Sequence, residues 1–550
     1  MSAAIFYHPE AFDVGGPKVM GRNAAGASFL KGFAAHSRAG DIWTLVDKRA
    51  HAESFARELR GLGRNDPVHV VDRNNLNALK HPGVVHYPSP RLGPRALQRA
   101  AFGHHAWSLC GITHTVCSAG AMDSLTDLLV APIQPWDALM CTSTAVKDAV
   151  TRLLDAQADY LRARLGATRI VLPQLPVIPL GINTADFTVT PERRAAARAT
   201  LGVDDTAIVV LFLGRLSFHA KAHPLPQYLA LENAARATGR KIVLVECGWH
   251  ASPQIADAFR EAAQLACPSV RVVHVDSTAQ PQQRPMAWAA ADIFSSLSDN
   301  LQESFGITPL EGMAAGLPLV VSDWNGYRDT VRDGIDGFRV PTLMPQAGLG
   351  ADLALAQALE IDSYDTYCGN TSQLIAVDVD ATAAAFIRLI DDPQLRAKMG
   401  AAGRERVRRH YDWAAVMPRY EALWEELREL RKAQASAPLA HPWPARLEPF
   451  HHFARYPTHT LTPNTQLQFA AGIDANTALA RAIELRGLRM IEFAKRILPT
   501  DAELGVVLAV AKDSPVIAGE LVRGIAPARR PIVLRALAWL VKIGILRVCD

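Results

Sequence analysis

Residues 299–329 read DNLQESFGITPLEGMAAGLPLVVSDWNGYRD, and they hold two carboxylates, Glu303 and Glu311, with seven residues between them. Glu303 falls in a loop that contains Gly306, and Glu311 is expected in the first turn of a short helix. Pro309 suits a helix start, where its missing N–H would have no partner anyway. Gly316 and Pro318 stop that helix. The apolar run 317–322 then reads as a short buried parallel strand. At the helix start the backbone N–H groups of Phe305, Gly306, Ile307 and Thr308 come together. Unpaired donors and the helix dipole attract phosphate at such a place. The two carboxylates beside it are acceptors for hydroxyl groups. The stretch therefore suits a molecule with phosphate in its middle and hydroxyls at both ends, which describes a nucleotide sugar. The plainer alternative is a strand–helix–strand unit whose two glutamates are solvated.

The order E-x7-E, small-residue helix, G-x-P-x-V-V strand resembles the retaining glycosyltransferases of family 4. That resemblance implies a metal-independent enzyme of the GT-B fold, with two Rossmann-like, doubly wound α/β domains facing a cleft. It implies that Glu303 contacts the hydroxyls of the donor sugar and Glu311 the nucleotide ribose. The amides of 305–308 would face the sugar and diphosphate.

Upstream of this stretch, the apolar strand 206–216 ends in Gly-Arg. Arg215 and Lys221 follow at its C-terminal end, and two cations beside a departing diphosphate can neutralise its charge. Taken alone, the pair also reads as two solvated loop cations. The motif resembles the G-R-x-x-x-x-K of the family, with a loop one residue longer. Further strands are expected at 242–246, 270–275 and 292–298, and a closing strand at 334–340. Asp329 stands where the family has Glu. Residues 341–376 read as an insertion, either a packing elaboration or an acceptor-side loop. Asp378-Val-Asp380 has the letters of a metal-binding DxD, but it leads straight into a helix, and Asp380 is expected to cap it.

The first half alternates strands and helices in the same manner, which argues a doubly wound domain. Strands are expected at 3–8, 41–46, 67–71, 83–87 and 111–116; 136–143 resembles the family's strand and serine near the end of this domain, and 169–183 its exit strand and proline-bearing link, with a hinge between Pro179 and Phe187. The glycine-bearing loop after the first strand leads to a helix from Arg22 to His36. Gly15, Gly16 and Gly21 there suit either a turn or a phosphate contact. The family resemblance implies that Gly21, and after it Gly16, approach the donor diphosphate, with Arg22 adding charge. His114 lies at the C-terminal end of its strand, the edge where open α/β sheets bind ligands. The resemblance implies a hydrogen bond from His114 to the reacting sugar.

At 550 residues the chain exceeds a single ordinary domain. Its 49% hydrophobic and 20% charged residues suit a globular protein, and a net charge of +4 gives no general case for nucleic acid as a partner. Seven scattered cysteines without a CxxC pair read as free thiols of a reducing compartment. No signal-like start and no apolar run of membrane-spanning length is present. The expected location is cytoplasmic, with room for peripheral attachment to the inner face of a membrane.

The expected organisation is 1–183 as the acceptor-side domain, 184–400 as the nucleotide-sugar domain and 401–431 as a helix returning to the first domain. A Pro- and His-rich linker follows at 432–476. Residues 477–550 form a mostly helical, winged-helix-like appendage, suited to protein or membrane-surface contact more than to DNA, since no dense Lys/Arg stripe marks it. The expected reaction moves a sugar from a nucleoside-diphosphate sugar, which is a co-substrate, to a glycan, lipid-linked or small-molecule acceptor. No cofactor or metal is expected. The rival readings are a GT-B nucleotide-sugar epimerase and a non-catalytic regulator or scaffold using the appendage.

Overall fold

The structure, a computed structural model, describes residues 2–13, 21–276, 283–435, 439 and 441–549. The chain divides into two compact units, Met1–Trp443 and Pro444–Asp550.

The first unit holds two six-stranded sheets. Strands β1 (Ala4–Phe6), β2 (Ile42–Leu45), β3 (Val68–Val71), β4 (Val84–His86), β5 (Ser108–Ile112) and β6 (Ala138–Met140) form the first, in the order β3-β2-β1-β4-β5-β6. Strands β7 (Ile208–Leu213), β8 (Ile242–Gly248), β9 (Arg271–Asp276), β10 (Ile293–Ser296), β11 (Leu319–Ser322) and β12 (Gly337–Val340) form the second, in the order β12-β11-β10-β7-β8-β9. Every pairing in both is parallel. The strands read as continuous Val, Ile and Leu because helices cover both faces. IVVLFL of β7 is a clear case, buried along almost its whole length.

Two expected strands need correction. The strand placed at 111–116 is Ser108–Ile112 instead, because the ladder with its two neighbours starts at Ser108 opposite Val84 and ends at Ile112 opposite Met140. The exit segment 169–183 forms isolated bridges to the edge of the first sheet, Ala138 to Gln174 and Cys141 to Val177, with no strand of its own. Pro173, Pro176 and Pro179 deny it the N–H groups a ladder needs.

The lobes are joined at two neighbouring crossings. Ile182 N donates to Tyr411 O at 2.9 Å, and Trp413 N donates to Ile182 O at 3.1 Å. Helix Pro393–His410 packs on the second lobe through helix Ile307–Ala314. After Tyr411 and Asp412, helix Trp413–Ala433 lies on the first lobe. There Ser108 Oγ donates to Leu427 O at 3.2 Å and Arg428 Nε to Pro82 O at 3.0 Å. The Trp413 indole is buried against Gly32 and Gly181, where an added Cβ would overlap its ring.

The insertion after β12 is pinned at its base by an antiparallel pair, β13 (Thr342–Leu343) with β14 (Ala376–Val377). Between them lie helices Ala351–Ala358 and Tyr364–Ser372. The cap of the next helix is Asp378, whose carboxylate accepts from Ala381 N at 2.9 Å, and not the expected Asp380. The second unit has a three-stranded antiparallel sheet, β16 (Val516–Ile517), β15 (Gln466–Phe469) and β17 (Leu546–Val548), in that order. Helices Ala475–Arg486, Asp501–Val510 and Arg530–Lys542 share its core with residues such as Leu504, Leu537 and Leu546. β15 lies inside the stretch read as linker, so ordered sheet begins ahead of residue 477. Among the described residues no helix is long and apolar enough to cross a membrane.

Candidate active site

In open α/β sheets the ligand site lies beyond the carboxyl ends of the strands where the strand order reverses. In the second sheet that point falls between β7 and β10. The loops leaving these two strands carry Arg215, Lys221 and Glu303, so the topology brings the three together.

Lys221 Nζ forms an ion pair with Glu303 Oε2. Glu303 Oε1 accepts from the N–H groups of Ser304 at 3.2 Å and Phe305 at 3.3 Å. The Tyr327 hydroxyl stands 3.5 Å from Oε2. Burial by itself would raise the carboxyl, but the Lys221 ammonium and the two amides outweigh it and hold Glu303 below the usual carboxylate range. Arg215 Nη2 donates to Ala220 O at 2.7 Å and to Gln302 Oε1. Gln302 in turn donates to the Tyr364 hydroxyl at 2.9 Å. The extra residue in this loop does not keep Lys221 from Glu303.

Helix Ile307–Ala314 begins two residues before Pro309, so Glu311 falls in its second turn and not its first. Pro309 still sits among the opening residues, whose N–H groups have no intrahelical acceptor. Gly306 caps the helix at φ +87°, and a Cβ there would overlap the Tyr327 ring. Phe305 is buried, and the Thr308 hydroxyl is buried without a partner. Glu311 is paired with Arg284, whose Nη2 lies 3.1 Å and 3.0 Å from its two carboxylate oxygens. Glu311 raises the Arg284 guanidinium above its ordinary value.

On the first lobe, His114 lies two residues past β5. Burial lowers its imidazole to about 4, against a hydrogen bond to the Pro88 carbonyl, and Arg22 lowers it further. It is therefore neutral at neutral pH. Gly21 opens helix Gly21–His36, and among the described residues nothing lies near the place of a Cβ. Gly16 lies outside the described residues. The lobes meet beside Glu303: Ser143 Oγ donates to Ser304 O at 2.8 Å, and Thr144 N donates to Asp329 Oδ2 at 2.7 Å. Asp329 thus takes the first N–H of helix Thr144–Leu165 from the opposite lobe, beside the cap Ser143, whose hydroxyl accepts from Val146 N.

Arg284, Gln302 and Tyr364 are site neighbours that sequence reasoning did not find. Arg284 stands in TAQPQQRPMAW, which has no motif. Gln302 adjoins Glu303, the one local signal available.

Two lobes of the same strand order, joined by a double crossing and meeting at these loops, define the GT-B class of glycosyltransferase folds. Residues 193–355 match the family described as "Glycosyl transferases group 1". The chain is 26% identical over 380 residues to the alpha-maltose-1-phosphate synthase of Mycobacterium tuberculosis, covering 63% of this chain and 88% of that one. It is 35% identical over 178 residues to the D-inositol 3-phosphate glycosyltransferase of Geodermatophilus obscurus, covering 30% of this chain and 36% of the relative, so it spans only about a third of the latter's length. A solved glycosyltransferase of Rickettsia africae ESF-5 shares the fold, with a TM-score of 0.50 at 14% identity over 78% of this chain and 98% of that one.

Proposed function

We propose that this chain is a retaining glycosyltransferase that moves a sugar from a nucleoside-diphosphate sugar to an acceptor hydroxyl, with protein cations in place of a metal ion. The observation that carries this is the Lys221–Glu303 pair beside Arg215, at the point where the strand order of the second sheet reverses. Lys221, Arg215 and the amides at the start of helix Ile307–Ala314 stabilise the diphosphate as it leaves. Glu303, held ionised by Lys221, accepts from the sugar hydroxyls. Neutral His114 bonds the sugar from the first lobe, and the acceptor hydroxyl attacks the face that the diphosphate vacates. Glu311 accepts from the ribose, and Arg284 fixes its carboxylate for that task. Gly21 lets the first-lobe backbone approach the diphosphate; Gly16 is the second glycine proposed for that contact.

The test is a thermal-shift panel of nucleotide sugars, since a ligand that binds only the folded chain raises its melting temperature. Transfer is then assayed with the stabilising donor and acceptors that include inositol 3-phosphate, named in one relative. The expected product keeps the anomeric configuration of the donor, and a metal chelator leaves the rate unchanged. An epimerised free donor without transfer, or a chelator-abolished rate, contradicts the proposal.

A further inference from the structure

Cys117 and Cys368 are 251 residues apart in sequence, yet their sulfurs lie 3.9 Å apart. Cys117 belongs to the first lobe, three residues after His114 and directly before Ser118, which caps helix Ala119–Thr126. Cys368 lies in helix Tyr364–Ser372 of the insertion, which extends from the second lobe. Both side chains are buried at this seam. The seam is also held by Gln357 Nε2, which donates to Cys117 O at 3.1 Å. The two sulfurs touch, with no atom between them, and a disulfide brings them to a separation of ~2.05 Å.

The surroundings of the two sulfurs differ. Thr115 Oγ1 lies 3.2 Å and the Tyr364 hydroxyl 3.6 Å from Cys117 Sγ. With the Cys368 thiol as the largest influence, Cys117 is drawn down to about 6, while Cys368 is pushed up. Cys117 is the nucleophile of the pair and Cys368 the resolving thiol.

We infer that Cys117 and Cys368 form a reversible disulfide on exposure to a hydroperoxide, tying the insertion to the His114 loop across the seam between the lobes. The Cys117 thiolate attacks a peroxide oxygen, the O–O bond breaks, and the leaving hydroxide takes a proton to become water. The sulfenic acid so formed is attacked by the Cys368 sulfur. The S–O bond breaks, and the oxygen leaves as a second water with the proton of Cys368. Two thiols are oxidised and one hydrogen peroxide is reduced; a dithiol reverses the step. The link bears on the site because Tyr364, on the same helix as Cys368, bonds Gln302, which bonds Arg215.

The experiment treats the reduced full chain with hydrogen peroxide, blocks free thiols, and digests it without reductant. The expected result is a Cys117–Cys368 linked peptide that dithiothreitol abolishes, together with a higher thermal midpoint for the oxidised chain. In Cys368→Ser the expected result is a sulfenic acid trapped at Cys117 by dimedone, with no midpoint change. Cys117→Ser should leave Cys368 unmodified and serves if the first variant does not fold. The absence of the linked peptide in the wild-type chain overturns the inference, as does a linked chain with an unchanged midpoint. These readouts need no sugar transfer, so their outcome is independent of the transferase reading.

Discussion

At the scale of single residues, the ion pair of Lys221 and Glu303 is the centre of the candidate site. If Lys221 neutralises the departing diphosphate, Lys221→Ala should lower kcat by roughly 10²–10³-fold, the usual cost of removing one preorganised donor. Glu303→Gln should lower it as well, while the melting temperature without ligand changes much less than the rate. Steady-state kinetics beside a thermal melt separates the two effects. A second prediction concerns His86, which burial lowers to about 3, with His114 adding to the effect. Its ordinary value is 6.5, so below that pH the unfolded chain takes up a proton that the folded chain refuses. His86 therefore stabilises fully above the unfolded value, and stability falls as pH drops through the window between the two, by ~1.4 kcal/mol per pH unit. Its ring sits among Phe29, Tyr420 and Trp424, so His86→Phe should fold and flatten that slope in denaturant titrations at pH 7 and pH 5. Glu303, Arg215 and Lys221 are legible in the sequence because each stands in a loop that directly follows an apolar strand run. Arg284 and Tyr364 are not, because what brings them to the site is tertiary packing.

At the scale of elements, helix Ile307–Ala314 depends on Gly306. A side chain there meets both a strained φ and the Tyr327 ring, so Gly306→Ala should cost at least ~1–3 kcal/mol in an unfolding titration and lower donor affinity with it. The turn into β6 depends on a different device. Arg99 and Asp137, both fully buried, pair at 2.5 Å and 2.8 Å, and Asp137 also accepts from Leu109 N and Gln134 N at 2.8 Å each. Asp137→Ala strands the guanidinium in the core and should cost about 3–5 kcal/mol, measurable by denaturant unfolding. Strand identity was readable from apolar runs, and so was the parallel sheet. The position of β5 was not, because Gly111-Ile-Thr continues a run that is already ending, and periodicity marks no boundary inside a fully buried strand. The sequence does not single out Asp378 as the cap for a similar reason: either Asp of the pair suits an N-cap, and only the geometry chooses.

At the scale of the whole Met1–Trp443 unit, Trp413 joins what the sequence separates. It packs on Gly32 of the first lobe and Gly181 of the first crossing, and its indole N–H donates to Ser28 Oγ at 2.8 Å. Trp413→Ala should destabilise the unit by about 3–5 kcal/mol, with a lower melting temperature as the readout. The two-lobe architecture was legible because strand–helix alternation repeats on both sides of a proline-bearing link. The insertion's place was not, since nothing in 341–376 announces that Tyr364 and Cys368 reach Gln302 and Cys117.

The double crossing also governs how such a chain could be recombined. Because the backbone passes from one lobe to the other near Ile182 and returns near Asp412, the first lobe is assembled from both ends of the unit. A chimera that grafts a new second lobe onto this first lobe with a single splice would orphan helix Trp413–Ala433 from the strands it was fitted to. Exchange succeeds only with two junctions, one in each crossing, so that the segment between them travels as a cassette.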